Sequence, residues 1–120
     1  AGRLDPFVIL GFGTNDQLEP EKLEEMMQLV GPERMVIMIM PYGDRQWIPQ
    51  SQAVIAEAQN TYPNLFVADW CQRARADKTL LHTDLIHPSP EGVRQYTNSI
   101  DDAFHQWANH RKRPVTQCGV

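Results

Sequence analysis

The chain has 120 residues, 42% of them hydrophobic and 22% charged, with a formal net charge of −4. That is enough for one globular domain of ordinary composition and not two, and its mild acidity argues against nucleic acid or an anionic membrane surface as a partner. No apolar run nears the roughly 20 residues that a membrane-spanning helix needs.

The chain opens Ala-Gly-Arg-Leu-Asp-Pro, with no starting Met and no signal-peptide pattern. It enters a strand at once, Phe7-Val8-Ile9-Leu10. A glycine-rich turn follows, Gly11-Phe12-Gly13-Thr14-Asn15-Asp16. Beyond it Leu23, Met26, Met27 and Val30 mark one face of a helix that Gly31-Pro32 ends. Met35 to Met40 reads as the second strand. A second helix runs from about Gln50 to Asn60 and stops at Tyr62-Pro63. Leu65-Phe66-Val67-Ala68 is the third strand. After a short helix and a loop comes the clearest helix, with Val93, Tyr96, Ile100, Phe104 and Trp107 on one stripe. The segment from Arg111 to Val120 is expected to be a flexible tail after a single domain over 1–110.

None of the three strands alternates polar with apolar, which suits strands covered on both faces. Strands alternating with helices predict an open parallel sheet with helices on both sides. Ligands of such sheets bind beyond the carboxyl ends of the strands, here Gly11 to Asp16, Pro41 to Trp47 and Asp69 to Cys71. Three strands are few, and an exposed hydrophobic edge is a hazard. Further strands are therefore expected before Ala1.

Two constellations carry chemistry. In the glycine turn, Asn15 at the tip can donate its amide to a developing oxyanion; the plainer role is a helix cap by Asn15 or Asp16. In Thr83-Asp84-Leu85-Ile86-His87-Pro88, His87 is suited to general-base work near neutral pH and Asp84 to orienting its ring; the plainer roles are a turn cap and a packed side chain. Trp47, after the second strand, either shapes a substrate pocket or covers a helix start. His82, Asp84 and His87 lack an evident fourth ligand, so no metal is expected. Of the serines, Ser51, Ser89 and Ser99, none sits on a turn leaving a strand, where an activated hydroxyl belongs. Cys71 does follow a strand, so a Cys-His pair is a lesser alternative. Two cysteines are too few for a disulfide scaffold; Cys71 and Cys118 are expected as unpaired thiols, with a bond between them the alternative.

Together these residues resemble the SGNH (GDSL-like) hydrolase superfamily over roughly Phe7 to Trp107. Gly13-Thr14-Asn15-Asp16 looks like its Gly-x-Asn-Asp block and Asp84-Leu85-Ile86-His87 like its Asp-x-x-His block, about 70 residues apart and in the right order. Arg45-Gln46-Trp47, the strand ending Asn64 to Trp70, and the helix after Gly92 resemble the extracytoplasmic C-terminal domains of bacterial membrane O-acyltransferases. The resemblance implies a three-layer α/β/α, flavodoxin-like fold with N-terminal strands missing. It implies a Ser-His-Asp mechanism on O-acyl esters of cell-envelope carbohydrate, without cofactor. His87 would be the base, Asp84 its orienter and Asn15 an oxyanion donor; Gly13 would shape the turn. The family's Gly-Asp-Ser serine has no counterpart here. It would lie before Ala1 or on another chain, such as a membrane acyltransferase domain. The alternative is a non-catalytic module that binds a glycan or a protein.

Overall fold

A computed structural model describes residues 7–13 and 16–119. The domain is α/β. Strands β1 (Phe7–Leu10), β2 (Met35–Ile39) and β3 (Leu65–Ala68) form a parallel sheet in the order β1-β2-β3. Helix α1 (Pro20–Val30) joins β1 to β2, and α2 (Ile48–Thr61) joins β2 to β3. After β3 come α3 (Trp70–Ala76), a 3₁₀ turn (Lys78–Leu80) and α4 (Pro90–Ala108). No helix among the described residues is long and apolar enough to cross a membrane.

Of the three apolar strands, β2 lies at the centre of the sheet; it and β3 are covered on both faces, whereas Phe7 and Ile9 of β1 stay exposed, against the expectation for all three. Every residue of β2 and β3 is buried. Leu23, Met27 and Val30 of α1, Ile55 and Ala58 of α2, and Ala103 of α4 close over the sheet in one core. Helix α4 packs on β3 and β2. Its Phe104 meets Phe7 edge to face, with ring centroids 6.0 Å apart.

Helix α1 starts later than a cap at Asp16 would place it. Its cap position is Glu19, with Pro20 in the first turn, because proline's fixed φ suits that position. At the other end of the chain, Cys71 and Cys118 are joined by a disulfide, which corrects the expectation of unpaired thiols. Their sequence separation of 47 takes in α4 and a return of the chain that spacing alone does not reveal. Two glutamines of α2 guide that return. Gln59 donates its amide to the Val115 carbonyl at 2.5 Å and accepts the Val115 N–H at 2.9 Å. Gln52 treats Gly119 the same way, both bonds 2.9 Å long.

Candidate functional site: a carboxylate-imidazole pair at the carboxyl rim of the sheet

The loop before α4 folds back on itself. Leu81 and Pro88 pair as an antiparallel bridge. The His82 N–H donates to the His87 carbonyl at 2.8 Å, and the Leu85 N–H to the His82 carbonyl at 2.9 Å. Leu85 takes a left-handed backbone with φ of 58°, a conformation that costs a side-chain-bearing residue roughly 1–2 kcal/mol. Just past this turn, the N–H groups of Ile86 and His87 donate to Asp84 Oδ1, at 2.9 and 3.1 Å. The other oxygen, Oδ2, lies 2.6 Å from His87 Nδ1.

The two roles weighed for Asp84 are thus both present, one on each oxygen. An ionised carboxylate only accepts hydrogen bonds, so Nδ1 carries the ring proton and Nε2 is left to take one. The hydrogen bond from His87 holds the Asp84 carboxyl far below the usual carboxylate range, and the two backbone N–H groups add to this against burial. Both side chains remain open to water, 71% exposed for His87 and 42% for Asp84. Solvent screening therefore keeps the pair's contribution to stability small, while the turn keeps its geometry.

Two glycines brace this loop. The Asp44 N–H, just past β2, donates to the Leu85 carbonyl at 3.1 Å. A Cβ at Gly43 would lie 2.5 Å from Ile86 Cδ1 and 3.2 Å from the Leu85 carbonyl, so a side chain there would have to displace Ile86 for the loop to approach this closely. A Cβ at Gly92 would overlap the Leu80 carbonyl. Ser89 caps α4 by accepting the Gly92 N–H and donates its own hydroxyl to Thr79.

His87 borders a hollow of about 280 Å³ together with Gly11 and Phe12 after β1, Ile39 at the end of β2, Trp70 after β3 and Tyr96 of α4. All three strands thus contribute their carboxyl ends, where a parallel sheet binds its ligands. Burial pushes the Tyr96 phenol pKa up, which keeps it a neutral donor.

Asn15 and its neighbour Thr14 lie outside the described residues. Gly13, with φ of 98°, faces Ser51 and Pro41 and borders a different hollow beside α1. Trp47 occupies the cap position of α2 and is not among the residues that line the His87 hollow; its buried indole N–H has no partner among the described residues. Of the residues beside His87, Phe12 and Trp70 fall in the rim segments Gly11 to Asp16 and Asp69 to Cys71 that the sequence points to, and Tyr96 is the one it missed. Tyr96 was hidden in the apolar stripe of its helix.

The serines are all in structural use. Buried Ser51 accepts the Leu18 N–H at 3.0 Å, Ser89 caps α4, and Ser99 donates to the Tyr96 carbonyl at 2.6 Å. Its disulfide removes Cys71 as the nucleophile of a Cys-His pair. Among the described residues no three His, Cys, Asp or Glu side chains gather as metal ligands. No protein-family model matches the chain, and no curated protein matches it.

Proposed function

We propose that this domain is the C-terminal portion of a serine-dependent SGNH-type esterase or O-acyltransferase acting on O-acyl esters of cell-envelope carbohydrate. One observation carries this reading: Asp84 Oδ2 sits 2.6 Å from His87 Nδ1, in a loop that locks the carboxylate, beside a hollow at the sheet's carboxyl rim. A serine hydroxyl delivered to Nε2 would lose its proton to His87 as it attacks an ester carbonyl. The imidazolium, balanced by Asp84, would then protonate the leaving alcohol. Water or a sugar hydroxyl would take the acyl group by the same path reversed. Asn15 would donate to the oxyanion.

The hydroxyl is proposed to come from a strand beside β1, either from the same domain or from a membrane acyltransferase partner. Phe7 and Ile9 of β1 are 43% and 48% exposed, unlike the buried strands beside them. A neighbouring strand there would complete a three-layer α/β/α, flavodoxin-like sheet, and its carboxyl end would open on the same rim as Gly11. The disulfide supports an extracytoplasmic setting, since such bonds persist in oxidising compartments.

The test is turnover of p-nitrophenyl acetate by the protein in its native, full-length form. His87→Ala, folded by circular dichroism, should lose about 10²- to 10⁴-fold in kcat; unchanged turnover refutes the reading. The structural engagement of all three serines favours one second reading, a non-catalytic module that binds a glycan or protein partner. It prevails if the reading frame before Ala1 contains no Gly-Asp-Ser serine.

A further inference from the structure

We infer that a second hollow, on the β3 side of the sheet, binds one pyranose ring of a carbohydrate. It lies between α3, α4 and the returning segment, with Val67 of β3 at its floor and a volume of about 250 Å³. This is the opposite edge of the sheet from β1, so a strand added beside β1 leaves it unchanged. Asp69 borders it, and the next residue, Trp70, borders the hollow beside His87. On the ester-handling reading above, the ring is a further unit of the same glycan; the chemistry of the site does not depend on that reading.

The anchor is Gln106 of α4, 8% exposed and part of the wall. Its Oε1 accepts the Arg113 N–H at 2.9 Å, which leaves Nε2 for the hollow. That NH₂ has no partner among the described residues, and unlike the Trp47 indole N–H it is not sealed from solvent. A nearly buried donor of this kind calls for an acceptor. Groups of both kinds stand around it. Arg73 ties Asp69 through Oδ1 at 2.9 Å and Asp102 through Oδ2. The other oxygen of each carboxylate has no donor among the described residues, and the two side chains are 38% and 48% exposed. Gln72, Arg113 and Thr116, all exposed, bring an amide, a guanidinium and a hydroxyl to the same hollow. The two carboxylates and the guanidiniums of Arg73 and Arg113 balance in formal charge, so the site favours neither an anion nor a cation. A hydroxyl both donates and accepts, which suits a wall offering donors and acceptors together. Val67, Pro114 and Val115 give the C–H face of a sugar ring an apolar patch. No aromatic side chain lines the hollow among the described residues, so binding is weak and rests on hydrogen bonds. An extended peptide would need the place beside β3 that the returning segment already takes.

The test is NMR titration of the native protein, labelled at its glutamine side chains, with the methyl pyranosides of glucose, galactose and mannose. Cyclohexanol and N-acetyl-alanine methylamide serve as the hydroxyl-poor and peptide probes. At least one pyranoside should shift the amides of Gln72 and Gln106 saturably. The amides of Gln52 and Gln59, which hold the returning segment, should stay where they are. Gln72→Ala and Thr116→Val, at exposed positions, should fold and each weaken the sugar about fivefold, as expected for one lost hydrogen bond. Gln106→Glu keeps the acceptor for the Arg113 N–H and loses the donor; it should weaken the sugar about tenfold or more. No saturable shift, equal binding of cyclohexanol, tighter binding of the peptide probe, or affinity unaltered in all three variants would overturn the proposal. The two readings fail separately. Sugar binding by a protein that turns over no ester leaves this site standing and removes the esterase. Ester turnover without sugar binding removes this site alone.

Discussion

The two edges of the sheet are finished differently. Strand β3 is buried along its length, and the returning chain passes beside it. The Lys112 ammonium lies 4.9 Å from the Phe66 ring centroid and donates to the Gln59 and Tyr62 carbonyls. Val67 and the segment Pro114 to Thr116 border one hollow. Gln52 and Gln59 are seven residues apart on α2, close to two turns, so their amides project the same way. Each grips a backbone N–H and carbonyl of the returning segment as a neighbouring strand would. Among the described residues, nothing covers strand β1 in this way: Phe7, Ile9 and nearby Trp107 are 43%, 48% and 41% exposed. Apolar strands of the same kind therefore lead different lives. One edge is covered by the returning segment from Lys112 to Gly119, and the other is left open by the described residues, next to the candidate site.

The sharpest way to break this contrast is to cut the strap. Closing a loop of 47 residues is worth about 4 kcal/mol by the chain-entropy estimate. Cys118→Ser should lose stability of that order in urea unfolding, and hydrogen exchange at Val115 and Gly119 should quicken. Exchange unaltered by the substitution would show that the glutamines hold the segment alone. Matched substitutions on the two edges come next. Val67→Thr puts a hydroxyl into a position 2% exposed and should cost about 2 kcal/mol, whereas Ile9→Thr, at 48% exposure, should stay within about 0.5 kcal/mol. Equal losses would mean that β1 is as well covered as β3. The smallest effect concerns pH. The Asp84 carboxyl has a folded pKa below its unfolded value. Whatever stability it lends is present above the unfolded value, near pH 4, and fades as pH falls toward the folded one. The carboxyl resonance of Asp84 should titrate far below that of free aspartate and return toward it in His87→Ala. An ordinary midpoint in the unaltered protein would contradict the 2.6 Å contact.

Strands, helices and the parallel sheet were legible because unbroken apolar runs such as Leu65 to Ala68 have few other uses in a short chain. The pairing of Asp84 with His87 was legible because three residues in one loop keep them close. What escaped needs the third dimension. Phe12 and Trp70 lay in rim segments already marked out, but Tyr96 belongs to α4 and meets them only when that helix packs back on the sheet. The roles of Gln52 and Gln59 were invisible for the same reason: buried polar residues on a helix give no period, and their partners lie 67 and 56 residues away. The late start of α1 follows from Pro20, whose preference for a first helical turn outweighed Asp16 as a cap.

The division of labour within Asp84 has a consequence for how this loop can change. One oxygen shapes the backbone and the other sets the protonation pattern of the imidazole, so form and reactivity are inherited together through a single side chain. Only an isosteric exchange separates them. In Asp84→Asn the amide oxygen can still receive the N–H groups of Ile86 and His87, but its NH₂ now faces Nδ1. The ring then shifts its hydrogen to Nε2, leaving an intact loop around an imidazole of the opposite tautomer, unable to accept where the incoming hydroxyl would arrive.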